Sequence, residues 1–138
     1  MKTQLETTAE RIISVLKENN VTIQRYDSVT TESIYLKLDY GVAFSIRISN
    51  HKGKKHLKYR YNVFLEGKTQ YDPIAHRYYY SKDDVNMMLS NILTERHQKI
   101  SKYGVTNYKE FMLNNKQAHS SDKRGFWKQA QLVHIGLI

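Results

Sequence analysis

The chain has no cysteine, a single proline and only six glycines in 138 residues. The absence of cysteine excludes disulfides, thiolate zinc sites, iron–sulfur clusters and cysteine nucleophiles. The low proline and glycine content excludes a collagen-like or low-complexity chain. No apolar run approaches the roughly 20 residues of a membrane-spanning helix, and residues 1–10 lack the apolar stretch of a secretion signal. We therefore expect a folded intracellular protein without a membrane segment.

Acidic residues are also comparatively few. The chain has 22 lysines and arginines against 13 aspartates and glutamates, which gives a formal net charge of +9. Eleven tyrosines stand against four phenylalanines. A basic surface with interleaved aromatic residues is typical of a protein that binds a polyanion: nucleic acid, a nucleic-acid-bound protein or an acidic protein groove. Composition alone does not choose among these three partners.

The length and the hydrophobic pattern predict one domain with an α+β fold. The length is that of a single domain over 1–138, in which we expect the polar segment 114–125 to be mobile. Helical periodicity predicts an N-terminal helix with Thr3 as its N-cap, a long helix after Ser81 that stops at Gly104, and a short helix beyond it. Alternation predicts strands near residues 21–26, 33–38, 42–49, 57–65 and 77–80, with a loop over 66–75 that contains the only proline. We predict an antiparallel sheet of about five strands, with the N-terminal helix and the C-terminal helices packed on one face.

The clearest element is a hairpin formed by the second and third predicted strands. Both strands carry their large apolar residues at even positions. A three-residue loop over 39–41 would keep these residues on one face and would pair Leu38 with Val42. In that register Ser33 lies opposite Arg47 and Tyr35 lies opposite Ser45.

The odd-numbered face of this hairpin gathers hydroxyl and cationic side chains and continues into a strongly basic connection. No acidic residue occurs between Tyr40 and Leu65. Such a one-sided block creates a positive field, and phosphate contacts are its commonest use. The alternative is a solvated sheet face with a basic turn that protects a sheet edge. The candidate residues for binding a partner or nucleic acid are Ser33, Tyr35, Arg47, Ser49, His51, Lys52, Lys54, Lys55, Lys58 and Arg60.

Two aromatic features are further candidates for binding. Trp127, with Arg124 beside it, is a possible anchor for a partner, because tryptophan and arginine are enriched at binding hot spots. The alternative is a terminal segment that packs against the core. The tyrosines at 59, 61, 71 and 78–80 could stack on unpaired bases, although strands favour tyrosine for packing alone.

The sequence contains no recognisable catalytic or metal-binding arrangement. His51 and His56 share one connection, but no third ligand stands at a suitable spacing. GxGxxG, P-loop and GxSxG motifs are absent. We predict no catalytic residue, no metal and no cofactor, and therefore a protein that is not an enzyme. A metal-independent nuclease built on histidine, lysine and tyrosine is the remaining enzymatic alternative.

One stretch resembles a known group of proteins. Ser33-Ile34-Tyr35-Leu36, followed by Ser45-Ile46-Arg47-Ile48-Ser49-Asn50-His51, is similar to a motif of small phage and mobile-element proteins. Some of these are basic type II-A anti-CRISPR proteins, which inhibit Cas9. The resemblance implies a phage or prophage origin. In this sequence, the residues that match the motif of that group are Arg47, Ser49 and His51.

The resemblance implies a counter-defence protein in the cytoplasm of a bacterial host cell. Such a protein would bind a nucleic-acid-guided nuclease with its guide RNA, with Cas9 as the leading candidate, and block it without catalysis. Its charge would speed the encounter by electrostatic steering. The alternative is a sequence-tolerant DNA- or RNA-binding module of a phage or mobile element. The sequence carries no signal for an oligomeric state.

Overall fold

The computed structural model describes residues 2–28, 32–50, 59–74, 76–121 and 130–138. Its helices are α1 (Gln4–Glu18), α2 (Val85–Tyr103) and α3 (Val105–Ser121). Its strands are β1 (Ile23–Ser28), β2 (Ser33–Leu38), β3 (Ser45–Ser49), β4 (Tyr61–Phe64), β5 (Gln70–Asp72), β6 (Arg77–Ser81) and β7 (Gln131–His134). Short 3₁₀ turns follow β2 at Asp39–Gly41 and β6 at Lys82–Asp84.

The strands of the described residues form one mixed sheet in the order β5-β6-β4-β3-β2-β1-β7. The pairs β3–β4 and β4–β6 are parallel, and the other pairs are antiparallel. The α+β class with an N-terminal helix and C-terminal helices is confirmed, but the antiparallel sheet of about five strands is wrong in strand number and direction. Side chains alternate in the same way in parallel and antiparallel strands, so the hydrophobic pattern does not reveal direction.

The two strands that the sequence analysis missed are both short edge strands. β5 has three residues and lies in a stretch that we predicted as loop, and β7 has four residues near the C-terminus. Strands of this length are too short to show a periodic pattern. β7 pairs with β1, so the end of the chain closes one edge of the sheet.

The core lies between the helices and the face of the sheet that carries the even-numbered residues of β2 and β3. α1 begins as predicted, because the backbone N–H of Glu6 donates to the Thr3 hydroxyl at 3.1 Å. α2 ends as predicted at Gly104, whose φ of +84° is unstrained in glycine. The helices contribute to this core Leu5, Ala9, Ile12, Ile13, Leu16, Val85, Met88, Leu89 and Ile92.

The turn between β2 and β3 is longer than predicted. Leu38 lies opposite Phe44 instead of Val42, because the Leu38 N–H donates to the Phe44 carbonyl at 3.0 Å. The register is therefore shifted by two residues, and Tyr35 pairs with Arg47. An even shift keeps every side chain on its predicted face but changes its cross-strand neighbour.

A buried carboxylate accounts for this longer turn. Asp39 is fully buried, and its carboxylate accepts hydrogen bonds from Thr22 N at 2.9 Å, Arg96 Nε at 2.6 Å and the Tyr108 hydroxyl at 2.5 Å. Asp39 and Tyr40 have φ values of +50° and +55°, which non-glycine residues adopt only when their surroundings hold them there. The ion pair with Arg96 thus attaches the turn to α2, and the hydrogen bond from Tyr108 attaches it to α3.

α3 is longer than the predicted short helix. It extends over residues 114–121 of the segment that we expected to be mobile, and residues 122–125 lie outside the described residues. Tyr108 is fully buried, whereas the other side chains over 105–118 are exposed or half-buried. One buried side chain near its first turn therefore provides much of the attachment of α3 to the core.

Candidate binding site at Arg47

The face of the sheet opposite the core carries a row of polar and aromatic residues across neighbouring strands. Strand pairing places Tyr26, Tyr35, Arg47, Asn62 and Tyr79 directly opposite one another from β1 to β6. Residues that are paired in this way share one face of a sheet. Arg47 is at the centre of the row, on β3.

The structure brings four of the predicted site residues together on this face. Tyr35 lies opposite Arg47 and Ser33 lies opposite Ser49, instead of the predicted pairs of Ser33 with Arg47 and Tyr35 with Ser45. The Ser33 hydroxyl donates to the Ser49 hydroxyl at 3.2 Å. All four side chains are buried, and Arg47 is only 3% exposed. This part of the sheet is therefore a buried polar cluster and not a solvated face.

Arg47 is the unusual member of this cluster. Its guanidinium Nε and Nη1 are buried and find no hydrogen-bond partner among the described residues. No ion pair in the described parts of the chain includes Arg47. A buried charged group is normally paired and hydrogen-bonded, because desolvation without a partner costs several kcal/mol. The described residues therefore leave the hydrogen bonding of this guanidinium incomplete, which makes Arg47 the candidate site residue.

Tyr35 and Asn62 are the cross-strand neighbours of Arg47. The rings of Tyr35 and Tyr59 lie 5.2 Å apart between centroids. Burial raises the pKa of the Tyr59 hydroxyl, although the nearby charge of Arg47 acts to lower it. The Asn62 Nδ2 donates to the Tyr59 carbonyl at 2.9 Å and to the Tyr78 carbonyl at 3.2 Å. The Tyr59 hydroxyl thus stays protonated at neutral pH and keeps a donor beside Arg47.

Arg60 does not join this cluster. It lies on the helix side of the sheet, where its Nη2 forms an ion pair with Glu95 of α2 at 2.8 Å. The Tyr61 hydroxyl donates to the same carboxylate. The Arg60 guanidinium carbon lies 4.9 Å from the centroid of the Phe44 ring. These contacts fix α2 to the start of β4, so a structural role accounts for Arg60.

The tyrosines that we considered as base-stacking platforms stack mainly on one another. The centroids of Tyr71 and Tyr78 are 4.5 Å apart, and those of Tyr61 and Tyr78 are 5.4 Å apart. Tyr61 and Tyr79 are completely buried, whereas Tyr71 on the edge strand is 46% exposed. Of the described tyrosines in this group, Tyr71 and the half-buried Tyr78 are the ones that a base could reach.

The remaining predicted site residues lie outside the described residues. They are His51, Lys52, Lys54, Lys55, Lys58, Arg124 and Trp127. Tyr59 and Asn62 were not among the residues predicted for this cluster, because the hydrophobic pattern does not reveal that β4 pairs with β3 in parallel. The sequence does contain one signal for this cluster, which is the asparagine at position 62 inside the apolar run of β4. A buried side-chain amide is usually hydrogen-bonded, so it indicates other polar groups nearby.

The described ranges contain no cluster of three histidine or acidic side chains that could hold a metal ion. None of the helices in these ranges combines the length and the apolar character needed to cross a bilayer. Comparison with protein-family models, with curated proteins and with solved structures gives no match. The resemblance to phage proteins therefore depends on residues 33–36 and 45–51 alone.

Proposed function

We propose that this chain is a phage- or mobile-element-encoded counter-defence protein that binds a nucleic-acid-guided nuclease and blocks it without catalysis. Cas9 with its guide RNA is the leading candidate for the partner. The observation that carries the proposal is the incomplete hydrogen bonding of Arg47 within a cluster made by Ser33, Tyr35 and Ser49 of the resembling motif.

A binding role explains why such a costly arrangement is retained. Two buried guanidinium donors that no described residue accepts from destabilise the fold, whereas an apolar side chain of similar length would not. Residues that serve binding are often suboptimal for stability. The net charge of +9 adds long-range attraction to a nuclease groove that carries guide RNA or is shaped for DNA.

The test is cleavage of a linear target by Cas9 and its guide, with the protein added before the target. Unrelated DNA is included in about tenfold excess over the target to absorb non-specific charge interactions. We expect inhibition near stoichiometric protein that persists in the presence of this competitor. Restoration of cleavage by the competitor, or no inhibition in its absence, would contradict the proposal.

A charge-matched pair of variants tests the basic part of the site. Simultaneous change of Lys52, Lys54 and Lys55 to glutamate should abolish inhibition. The control is the same change at three exposed lysines elsewhere, Lys17, Lys68 and Lys82, which alters the net charge by the same amount. Equal loss of inhibition in both variants would show that only net charge matters and would remove the assignment of the basic connection.

A sequence-tolerant nucleic-acid-binding module is the second candidate. It is favoured by the half-exposed pair Tyr71 and Tyr78, which is stacked at one edge of the sheet and could receive an unpaired base. This function predicts binding to bare single-stranded DNA or RNA that weakens steeply with salt, with a log–log slope of about −0.7 for each phosphate contact. Tyr71→Ala should weaken that binding, and a salt-independent affinity would exclude the module.

A further inference from the structure

A groove lies between α3 and the residues that follow β7, on a different part of the molecule from Arg47. Its volume is about 300 Å³, at the lower limit of the roughly 300–1,000 Å³ typical of small-molecule pockets. This space fits a few side chains better than it fits a cofactor. We call it the C-terminal groove; its lining residues include Tyr40, Lys109, Met112, Leu113, Lys116 and Leu137.

The C-terminal side of the groove is attached through its backbone. The Gly136 N–H donates to the Thr22 hydroxyl at 3.0 Å. A Cβ atom at position 136 would lie 1.8 Å from the carbonyl oxygen of Asn20, so only glycine permits this close approach. The neighbouring side chains remain outside, with Ile135 64% and Leu137 82% exposed. The backbone is fixed while its large apolar side chains are left available.

The α3 side of the groove has a regular pattern. Lys109, Met112, Leu113 and Lys116 are spaced at i, i+3, i+4 and i+7, which places them on one face of the helix. Leu113 is 52% exposed. The two lysines are seven residues apart and are separated by roughly 10 Å along the helix axis. The groove thus has apolar side chains between two cationic ends.

Tyr40 forms the inner wall of the groove. Its backbone has a φ of +55°, a conformation that is costly for a tyrosine. The buried Asp39 beside it holds this conformation through its ion pair with Arg96 at 2.6 Å. The Lys116 ammonium lies 5.7 Å from the centroid of the Tyr40 ring. Contacts within the chain therefore hold Tyr40 in this position, and no ligand in the groove is needed for it.

We propose that the C-terminal groove binds an acidic, amphipathic helical segment of a partner protein. Apolar side chains of one face of that segment would occupy the space beside Met112, Leu113 and Leu137, as in other complexes in which a helix lies in a groove. Its carboxylates would meet Lys109 and Lys116. An acidic partner is favoured, because both charged side chains that line the groove, Lys109 and Lys116, are cationic. The inference is independent of the function proposed for Arg47.

The probe is a synthetic peptide of about 14 residues with leucines at helical spacing and glutamates on both flanks. Two further peptides serve as controls: a scrambled peptide of the same composition, and a peptide with lysine in place of each glutamate. Binding is followed by amide chemical shifts of the full-length ¹⁵N-labelled protein. We expect the acidic amphipathic peptide to bind at least about tenfold more tightly than either control peptide, with the largest shifts over 109–116 and 135–138.

Variants of the protein complete the test. Leu113→Ser, at an exposed position, and the double variant Lys109→Glu with Lys116→Glu should each weaken binding of the acidic peptide about tenfold. The control is Lys68→Glu with Lys82→Glu, which changes the net charge equally and should leave the affinity within about twofold. Dispersed amide spectra verify that each variant is folded. Equal binding of the scrambled peptide, shifts centred elsewhere, or no binding of the acidic peptide would overturn the proposal.

Discussion

Two buried arginines with opposite hydrogen-bonding states should respond in opposite ways to the same substitution. Arg47 is 3% exposed and Arg96 is 9% exposed. Nε and Nη1 of Arg47 have no partner in the part of the chain that the structure describes, whereas the guanidinium of Arg96 is bonded to the Asp39 carboxylate and to the carbonyls of Asn19 and Asn20. We therefore compare Arg47→Met with Arg96→Met, since methionine keeps an unbranched apolar chain and removes the charge.

Arg47→Met should stabilise the protein. Each unsatisfied buried donor costs about 1–3 kcal/mol, so removing two of them recovers about 2–6 kcal/mol. Incomplete filling of the space left by the guanidinium opposes this gain, and we expect a net increase of about 2 kcal/mol in the free energy of unfolding. For a chain of this length that corresponds to a rise in Tm of about 6 °C.

Arg96→Met should have the reverse effect. It leaves the fully buried carboxylate of Asp39 without its cation, and such a loss costs about 3–5 kcal/mol. Urea unfolding, followed by circular dichroism, gives the free energy for both variants and for the unmodified protein. If Arg47→Met lowers stability as Arg96→Met does, the guanidinium of Arg47 is satisfied within the folded chain and the argument for an incomplete site fails.

Three further predictions concern the connections that hold the fold together. Tyr108→Phe removes the hydroxyl that donates to Asp39 at 2.5 Å; urea unfolding should show a loss of about 1–3 kcal/mol, and an unchanged value would contradict the role of this bond. Gly136→Ala should detach the end of the chain from Asn20, seen as increased hydrogen exchange of the amides over 134–138, and unchanged protection would refute the close approach. Burial raises the pKa of Tyr61 and Tyr108 in the folded state above the unfolded value of about 10; their contribution to stability is therefore complete below pH 10 and is lost as the pH rises further. The free energy of unfolding should fall as the pH is raised above about 10, and a constant or rising value would contradict this prediction.

Local patterns were sufficient to predict the helical part of the fold. The start of α1 at Thr3 depends on a hydrogen bond to a residue three positions away, and the end of α2 at Gly104 depends on glycine's tolerance of positive φ. Both signals are contained in a few consecutive residues. The faces of β2 and β3 were also predicted correctly, because the period of two survives a shift of two residues.

Long-range contacts account for the errors. The turn after β2 is set by Asp39, whose partners Arg96 and Tyr108 lie 57 and 69 positions away, and no pattern near residue 39 reveals them. The parallel pairing of β3 with β4 is not visible in the strand sequences, because side chains alternate in the same way in parallel and antiparallel strands. The same pairing brings Asn62 opposite Arg47. The candidate site was therefore only half predictable from the hairpin motif.

Inhibition of Cas9 cleavage by Arg47→Met, titrated beside the unmodified protein after the unfolding free energy of the variant has been determined, shows whether Arg47 binds the nuclease. We expect a variant that is more stable and yet requires at least about tenfold more protein for half-inhibition. A variant that inhibits as well as the unmodified protein would show that Arg47 does not contribute to binding the nuclease. A variant that loses both stability and inhibition would show that Arg47 maintains the fold and would remove the candidate site.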